Sequence, residues 1–315
     1  MKKFQLFALL FLTYFIFYSC SEDTTAPKKG CDFLIDSRLA YLYDCPPSID
    51  NCYEGTLTYA EKMKALDRLN FIRAIHGLPE VGYNPDKDIA VQKSAIIAVA
   101  NKTLTHYPDS TFKCYTKIGD TACGQSNLHI SYYSSLSTVW SSAASIDGWI
   151  NEKYSTSIGH RRWFLSPFLK NVAFGRVDWI TAKGEYWIGS TMWVWDNDGP
   201  TESNVEYIAC PYHDYPSSAL DTNLFLSFSV LMNKSNWWSN DKVDFSTATI
   251  QVNDDNQTTY SVLNISSDNL FSGLPNNLQW KVSNLKRNTR YNITISNVDV
   301  NGQKKNYEYW FRIVN

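Results

Sequence analysis

Charge is scarce in this sequence, and what there is nearly cancels: 19% of 315 residues are Asp, Glu, Lys or Arg, with a net charge of -2. No Lys/Arg run follows the N-terminal segment, so the basic footprint of a nucleic-acid binder is missing. Long apolar runs are missing too. The one candidate, Phe4 to Tyr18, is broken by Gln5 and Thr13 and falls short of the ~20 residues that a membrane-spanning helix needs. No Cys-x2-Cys spacing occurs, which argues against a structural zinc. Gly-x-Ser-x-Gly is also absent, so Ser190, which follows Gly189, lacks the elbow of a hydrolase nucleophile. No internal repeat or low-complexity tract stands out.

What is present is apolar and aromatic. At 44% hydrophobic residues the chain can bury a sizeable core, and its length fits two domains. Its 20 Tyr, 16 Phe and 11 Trp suit a secreted β-rich protein, or one that offers rings to a ligand or partner. Met1-Lys2-Lys3 followed by the apolar run begins like a secretory signal, read here as residues 1–19. The run closes at Phe17-Tyr18-Ser19-Cys20, which resembles a lipobox with Ser19 in its regular place, although Phe17 and Tyr18 replace the usual Leu and small residue. Lipidation of Cys20 is therefore expected, placing the protein outside the cytoplasm with the membrane as a partner. The expected location is the bacterial cell envelope, at the outer membrane or cell surface. An uncleaved anchor is the alternative.

Setting Cys20 aside leaves Cys31, Cys45, Cys52, Cys114, Cys123 and Cys210, an even set in an exported chain and hence a disulfide framework. The short loop between Cys114 and Cys123 makes that pair the expected bridge; the other pairings stay open.

Residues 20–55 read as tether and cysteine-containing loop, rich in Pro, Asp and Ser. Thr58 and Glu61 then form a capping box, and Met63, Leu66, Leu69 and Ile72 recur at helical spacing until Gly77 and Pro79. Asn84 and Pro85 announce a second helix with Ile89, Ile96 and Ala100 as its buried stripe and His106 at its end. A third helix is expected over 143–153, and two strands over 172–180 and 186–195. Together, residues 56–198 read as an α+β domain. Residues 199–223 read as a linker, and 224–315 as an all-β sandwich with strands near 225–231, 249–252, 258–263, 278–282, 291–295 and 307–313. The segment Leu285 to Tyr291 also resembles the loop-to-strand corner of immunoglobulin-like or fibronectin type III modules.

Two histidines sit in recognisable company. His106 lies downstream of Leu69-Asn70-Phe71-Ile72-Arg73-Ala74 and Gly77-Leu78-Pro79, while His160 lies in Gly159-His160-Arg161-Arg162, after Trp149-Ile150-Asn151-Glu152 and before Leu165-Ser166-Pro167. In order and spacing these pieces resemble the CAP superfamily of cysteine-rich secretory, antigen 5 and pathogenesis-related proteins, over about residues 57–197. The resemblance implies an α-β-α sandwich whose cleft is lined by two histidines and two acids. His106, Glu152 and His160 fill three of those places, and Gln125 stands where the second acid would be.

Two imidazoles and a carboxylate are enough donors for Zn²⁺ with a water in the fourth position, so His106 and His160 are candidate metal ligands. Hydrolysis would need a carboxylate base as well, and Gln125 removes one. A hydrogen-bonded network shaping the cleft is the simpler expectation. The family's known properties imply binding of a lipid, small ligand or protein partner rather than catalysis. The alternative is a metal-dependent, peptidase-like hydrolase using Glu152, His106 and His160 as catalytic residues. Trp187, Trp193 and Trp195 alternate along one strand and are expected to share a packing face.

Overall fold

A computed structural model describes residues 31–315 except Tyr154. Cys20, the apolar run before it and the start of the tether lie outside the described residues. Among the described residues no helix is long and apolar enough to cross a membrane.

The segment expected to be tether and loop is instead built into the fold from Cys31 on. A 3-10 turn, Ala40–Leu42, leads into β1 (Tyr43–Cys45), which pairs with β2 (Thr56–Leu57). Leu39, Leu42 and Leu57 are fully buried, three apolar side chains in a stretch too short to show a period. Disulfides join Cys31 to Cys45 and Cys52 to Cys114. The expected Cys114–Cys123 bridge does not form. Cys114 is taken by Cys52 instead, and Cys123 is held within the helix that begins at Lys117, its buried thiol against Ser94 Oγ at 3.1 Å. Cys123 and Cys210 are buried free thiols.

Helix α1 (Tyr59–Ile75) starts where expected, with the Thr58 side chain accepting from the Glu61 backbone N–H at 3.3 Å. Strand β3 (Gly82–Tyr83) is followed by the Asn84-capped turn that opens α2 (Asp88–Asn101). Ile89 is exposed; the buried stripe runs through Ala90, Val91, Ala95, Ile96 and Val99. Next come α3 (Lys117–Gly124), β4 (Ser126–Tyr133), α4 (Ser142–Asn151), α5 (Gly159–Phe164), β5 (Asn171–Ile180) and β6 (Tyr186–Trp193).

The sheet order is β3-β5-β6-β4, parallel between β3 and β5 and antiparallel elsewhere. Strand alternation separates its faces. Val172, Phe174, Tyr186, Ile188 and Met192 meet α1 and α4, whereas Ala173 and Val177 meet α2. A Cβ on Gly175 would lie 2.5 Å from the Val91 backbone, so only glycine lets α2 rest this closely on β5. The result is an α-β-α sandwich.

The β-rich region begins earlier than expected. Residues 199–223 are not simply a linker, because β7 (Tyr207–Cys210) and β8 (His213–Pro216) fall within them. Four-residue strands among prolines are too short to show alternation. They are followed by β9 (Leu226–Val230), β10 (Val243–Asp244), β11 (Thr249–Asp254), β12 (Val262–Asp268), β13 (Asn277–Val282), β14 (Arg290–Val300) and β15 (Gln303–Val314). One sheet runs β12-β13-β9-β7. The other runs β10-β14-β15-β8, with β11 also on β14 and β8 parallel to β15. Strand β12 starts later than the expected 258–263, because its exposed Ser- and Asn-containing stretch carries no alternation. Phe228 and Trp280 from one sheet and Ile293 and Phe311 from the other share one core.

The two regions are packed firmly together. Tyr215, Leu220, Trp237 and Leu274 join the same apolar cluster as Leu69, Ile72 and Trp149. Arg161 donates to the Ile150 and Phe225 carbonyls, both at 2.7 Å. Arg162 donates to Asp268 Oδ1 and the Leu270 carbonyl at 2.7 Å and to the Leu274 carbonyl at 3.0 Å. The Arg-Arg pair thus fastens the CAP-like half to the β-rich half.

Candidate functional site

Helix α4 ends at Glu152, which takes a left-handed backbone conformation (φ 52°) and is 8% exposed. That turn aims its carboxylate at the start of α5. Glu152 Oε1 accepts from the backbone N–H groups of His160 at 2.7 Å and Arg161 at 3.3 Å, and Oε2 meets His160 Nδ1 at 3.1 Å. A carboxylate at a helix N-terminus satisfies N–H groups that have no partner within the helix. The carboxylate can only accept, so Nδ1 is the ring nitrogen that donates in this bond, and Nε2 takes no part in it. Asn127 Nδ2 donates to the His160 carbonyl at 3.0 Å and ties α5 to β4.

His106 does not end α2, which stops at Asn101. It sits in the following loop, where its Nδ1 donates to the Cys123 carbonyl at 2.7 Å. Gln125 caps the C-terminus of α3. His106, Gln125, Glu152 and His160 come together on the wall of one cavity of about 320 Å³, with Trp163 and Trp195 on its rim.

Around this cleft lie residues that the sequence pattern did not flag. Ser155 and Ser157 come from the α4–α5 loop, and Ser272 comes from the β-rich half. A second cavity of about 760 Å³ adjoins the first and shares Glu152, Ser155 and His160 with it. Its walls are largely apolar, with Leu104, Leu128, Ile130, Tyr133, Trp140 and Ile188 among them. His129 also lines it. Burial and the nearby His160 pull the His129 pKa down to about 4, so that imidazole is neutral near pH 7. A lone histidine on a strand carries no sequence signal for such a place.

The donor set does not fit Zn²⁺. A catalytic zinc takes three protein ligands, and here Glu152 is engaged in orienting His160 and capping α5. Gln125 supplies only an amide. Among the described residues no three His, Cys, Asp or Glu side chains cluster closely enough to hold a metal ion.

Residues 66–189 match the model of CAP, the cysteine-rich secretory protein family. This segment is similar to that family in sequence, and its α-β-α sandwich agrees with the match. All four cleft residues lie inside it, whereas Trp195 and the whole β-rich region lie beyond it. A search of curated proteins finds no match to the chain. The three tryptophans divide between the two parts of the molecule. Trp187 and Trp193 lie on β6 beneath Lys102 and Lys87, at 5.0 and 4.3 Å, with Trp187 inside the matched segment and Trp193 just past it. Trp195 lies past the end of β6 and packs against Trp163 and Trp237, at 5.3 and 6.1 Å.

Proposed function

We propose that this is an exported envelope protein, lipid-anchored through Cys20, whose CAP domain binds a lipid-like ligand with its polar head among His106, Gln125 and His160. The observation that carries this reading is the pair of adjoining cavities, one of mixed lining that holds His106, Gln125 and His160 and one largely apolar, meeting at Glu152, Ser155 and His160. Their sizes fall within the roughly 300–1,000 Å³ of small-molecule sites. The metal-dependent hydrolase reading lacks a third ligand. The β-rich half is read as an immunoglobulin-like module that braces the CAP domain. Its strand order supports this, as does Tyr291 at the start of β14, whose hydroxyl accepts from the Lys286 backbone N–H at 2.7 Å in the manner of a tyrosine corner.

Titration of the chain from residue 21 onward with cis-parinaric acid tests the ligand. Saturable fluorescence that palmitate displaces, and that Ala144→Trp abolishes by filling the apolar cavity, is the expected result. Absence of saturable binding would refute the reading. Loss of metabolic palmitate labelling in Cys20→Ala tests the anchor.

A further inference from the structure

We propose that the cleft between Trp195 and Trp238 is a carbohydrate-binding site. Trp195, Asp198 and Gly199 from the segment after β6 face Ser235, Asn236 and Trp238 of the β-rich half across a cavity of about 350 Å³. The two indoles at its ends are 45% and 54% exposed, a large apolar area left in water. Both are held in place. Trp237, buried between them, lies 6.1 Å from Trp195 and 4.4 Å from Trp238, and its Nε1 donates to the Gly273 carbonyl.

The polar groups of the cleft divide into two sets. Asp196 is held by Asn171 Nδ2 at 2.8 Å, and Asn197 donates to the Val194 carbonyl at 3.2 Å, so these two shape the loop. Among the described residues the side chains of Asp198, Ser235 and Asn236 have no hydrogen-bond partner, although all three line the cavity. A carboxylate, a hydroxyl and an amide offer both donors and acceptors, as sugar hydroxyls require. Exposed indole faces suit the flat C–H faces of β-linked pyranoses. Asp196 and Asp198 are partly offset by the Lys170 ammonium beside Gly199, so the cleft carries no large charge of either sign and its polar groups suit a neutral saccharide. An ammonium cage would need rings walling the cation in, whereas Trp195 and Trp238 stand open to solvent. Trp195 also lines the His106/His160 cavity, so a bound chain would extend toward the CAP cleft.

The experiment is calorimetric titration of the chain from residue 21 onward with cellohexaose, chitohexaose and choline, beside Trp238→Ala, Asp198→Ala and Trp195→Ala. Exposure of all three side chains leaves the fold intact, to be checked by circular dichroism. Expected is saturable binding of one hexasaccharide, weakened about tenfold in each Trp variant, as the loss of one stacked ring implies. Trp238 and Asp198 lie outside the lipid-like site, so cis-parinaric acid binding should be unchanged in their variants, which separates failure of this site from failure of that one. No binding to either hexasaccharide, binding that survives both Trp substitutions, or binding of choline alone would overturn the proposal.

Discussion

Glu152 holds His160 twice, through the backbone N–H at 2.7 Å and through ring Nδ1 at 3.1 Å. The carboxylate therefore works as helix cap and ring orienter at once. Glu152→Ala leaves two N–H groups at the start of α5 without an acceptor and is expected to cost about 1–2 kcal/mol. Glu152→Gln keeps an oxygen for those donors and should cost less. Urea unfolding of the three proteins checks the order; equal stabilities would show that the cap contributes nothing.

The Cys52–Cys114 bridge spans 62 residues and ties the N-terminal segment to the loop after α2. Loop-closure entropy for a span of that length is about 4 kcal/mol. The Cys52→Ser/Cys114→Ser double variant should lose stability on that scale. Cys123→Ala, which removes a free thiol beside Ser94, should cost far less. Non-reducing peptide mapping should recover the Cys52–Cys114 peptide, and a Cys114–Cys123 peptide would contradict the assignment.

Much of the frame was legible because it rests on local chemistry. The Thr58 cap, the Asn84 cap, and the paired strands β5 and β6 with their turn all follow from side-chain types at fixed offsets. The short helices α3 and α5 span eight and six residues, too few for a 3.6-residue period to emerge. Missing α3 led to the wrong disulfide, and missing α5 hid the part played by Glu152. His106, Gln125, Glu152 and His160 could be named as a set through the family resemblance. That Glu152 faces inward as a cap could not, since it depends on a left-handed turn that glutamate rarely adopts. Nothing in the local sequence announces the burial of Arg161 and Arg162, because their partners Phe225 and Asp268 lie 64 and 106 residues away.

Zinc supplies a direct test of the missing ligand. His106 and His160 each direct Nδ1 to an oxygen, the arrangement that prepares Nε2 for a metal. Gln125→Glu would add the third donor. In calorimetric titration with ZnCl₂ the native chain should give no stoichiometric binding, and Gln125→Glu should bind one ion, an effect lost when His106→Ala and His160→Ala are added. Tight binding by the native chain would restore the metal-centre reading.

Arg162 is the main polar tie across the junction, bonded to Asp268 and two carbonyls, with its side chain 7% exposed. Arg162→Ala strands those carbonyls and is expected to cost about 2–3 kcal/mol. Limited proteolysis should then cut within residues 199–206 faster than in the native chain. Unchanged cleavage would mean that the apolar cluster alone holds the halves together.

Acid should weaken the fold through its buried histidines. His76 packs against Tyr215 at the junction and is 4% exposed; burial lowers its pKa to about 3. His129 is lowered to about 4 for the same reason. Both values lie below the ~6.5 of an unfolded chain, so the unfolded state takes up protons first as pH falls. The stabilisation these neutral rings provide is therefore complete above pH ~6.5 and declines as pH drops toward 4 and then 3. His76→Phe keeps an aromatic ring against Tyr215 but cannot titrate, so its stability should change less with pH over that window. Thermal melts of both proteins from pH 7.5 to 4 decide the matter, and parallel curves would mean that His76 does not contribute to the acid sensitivity.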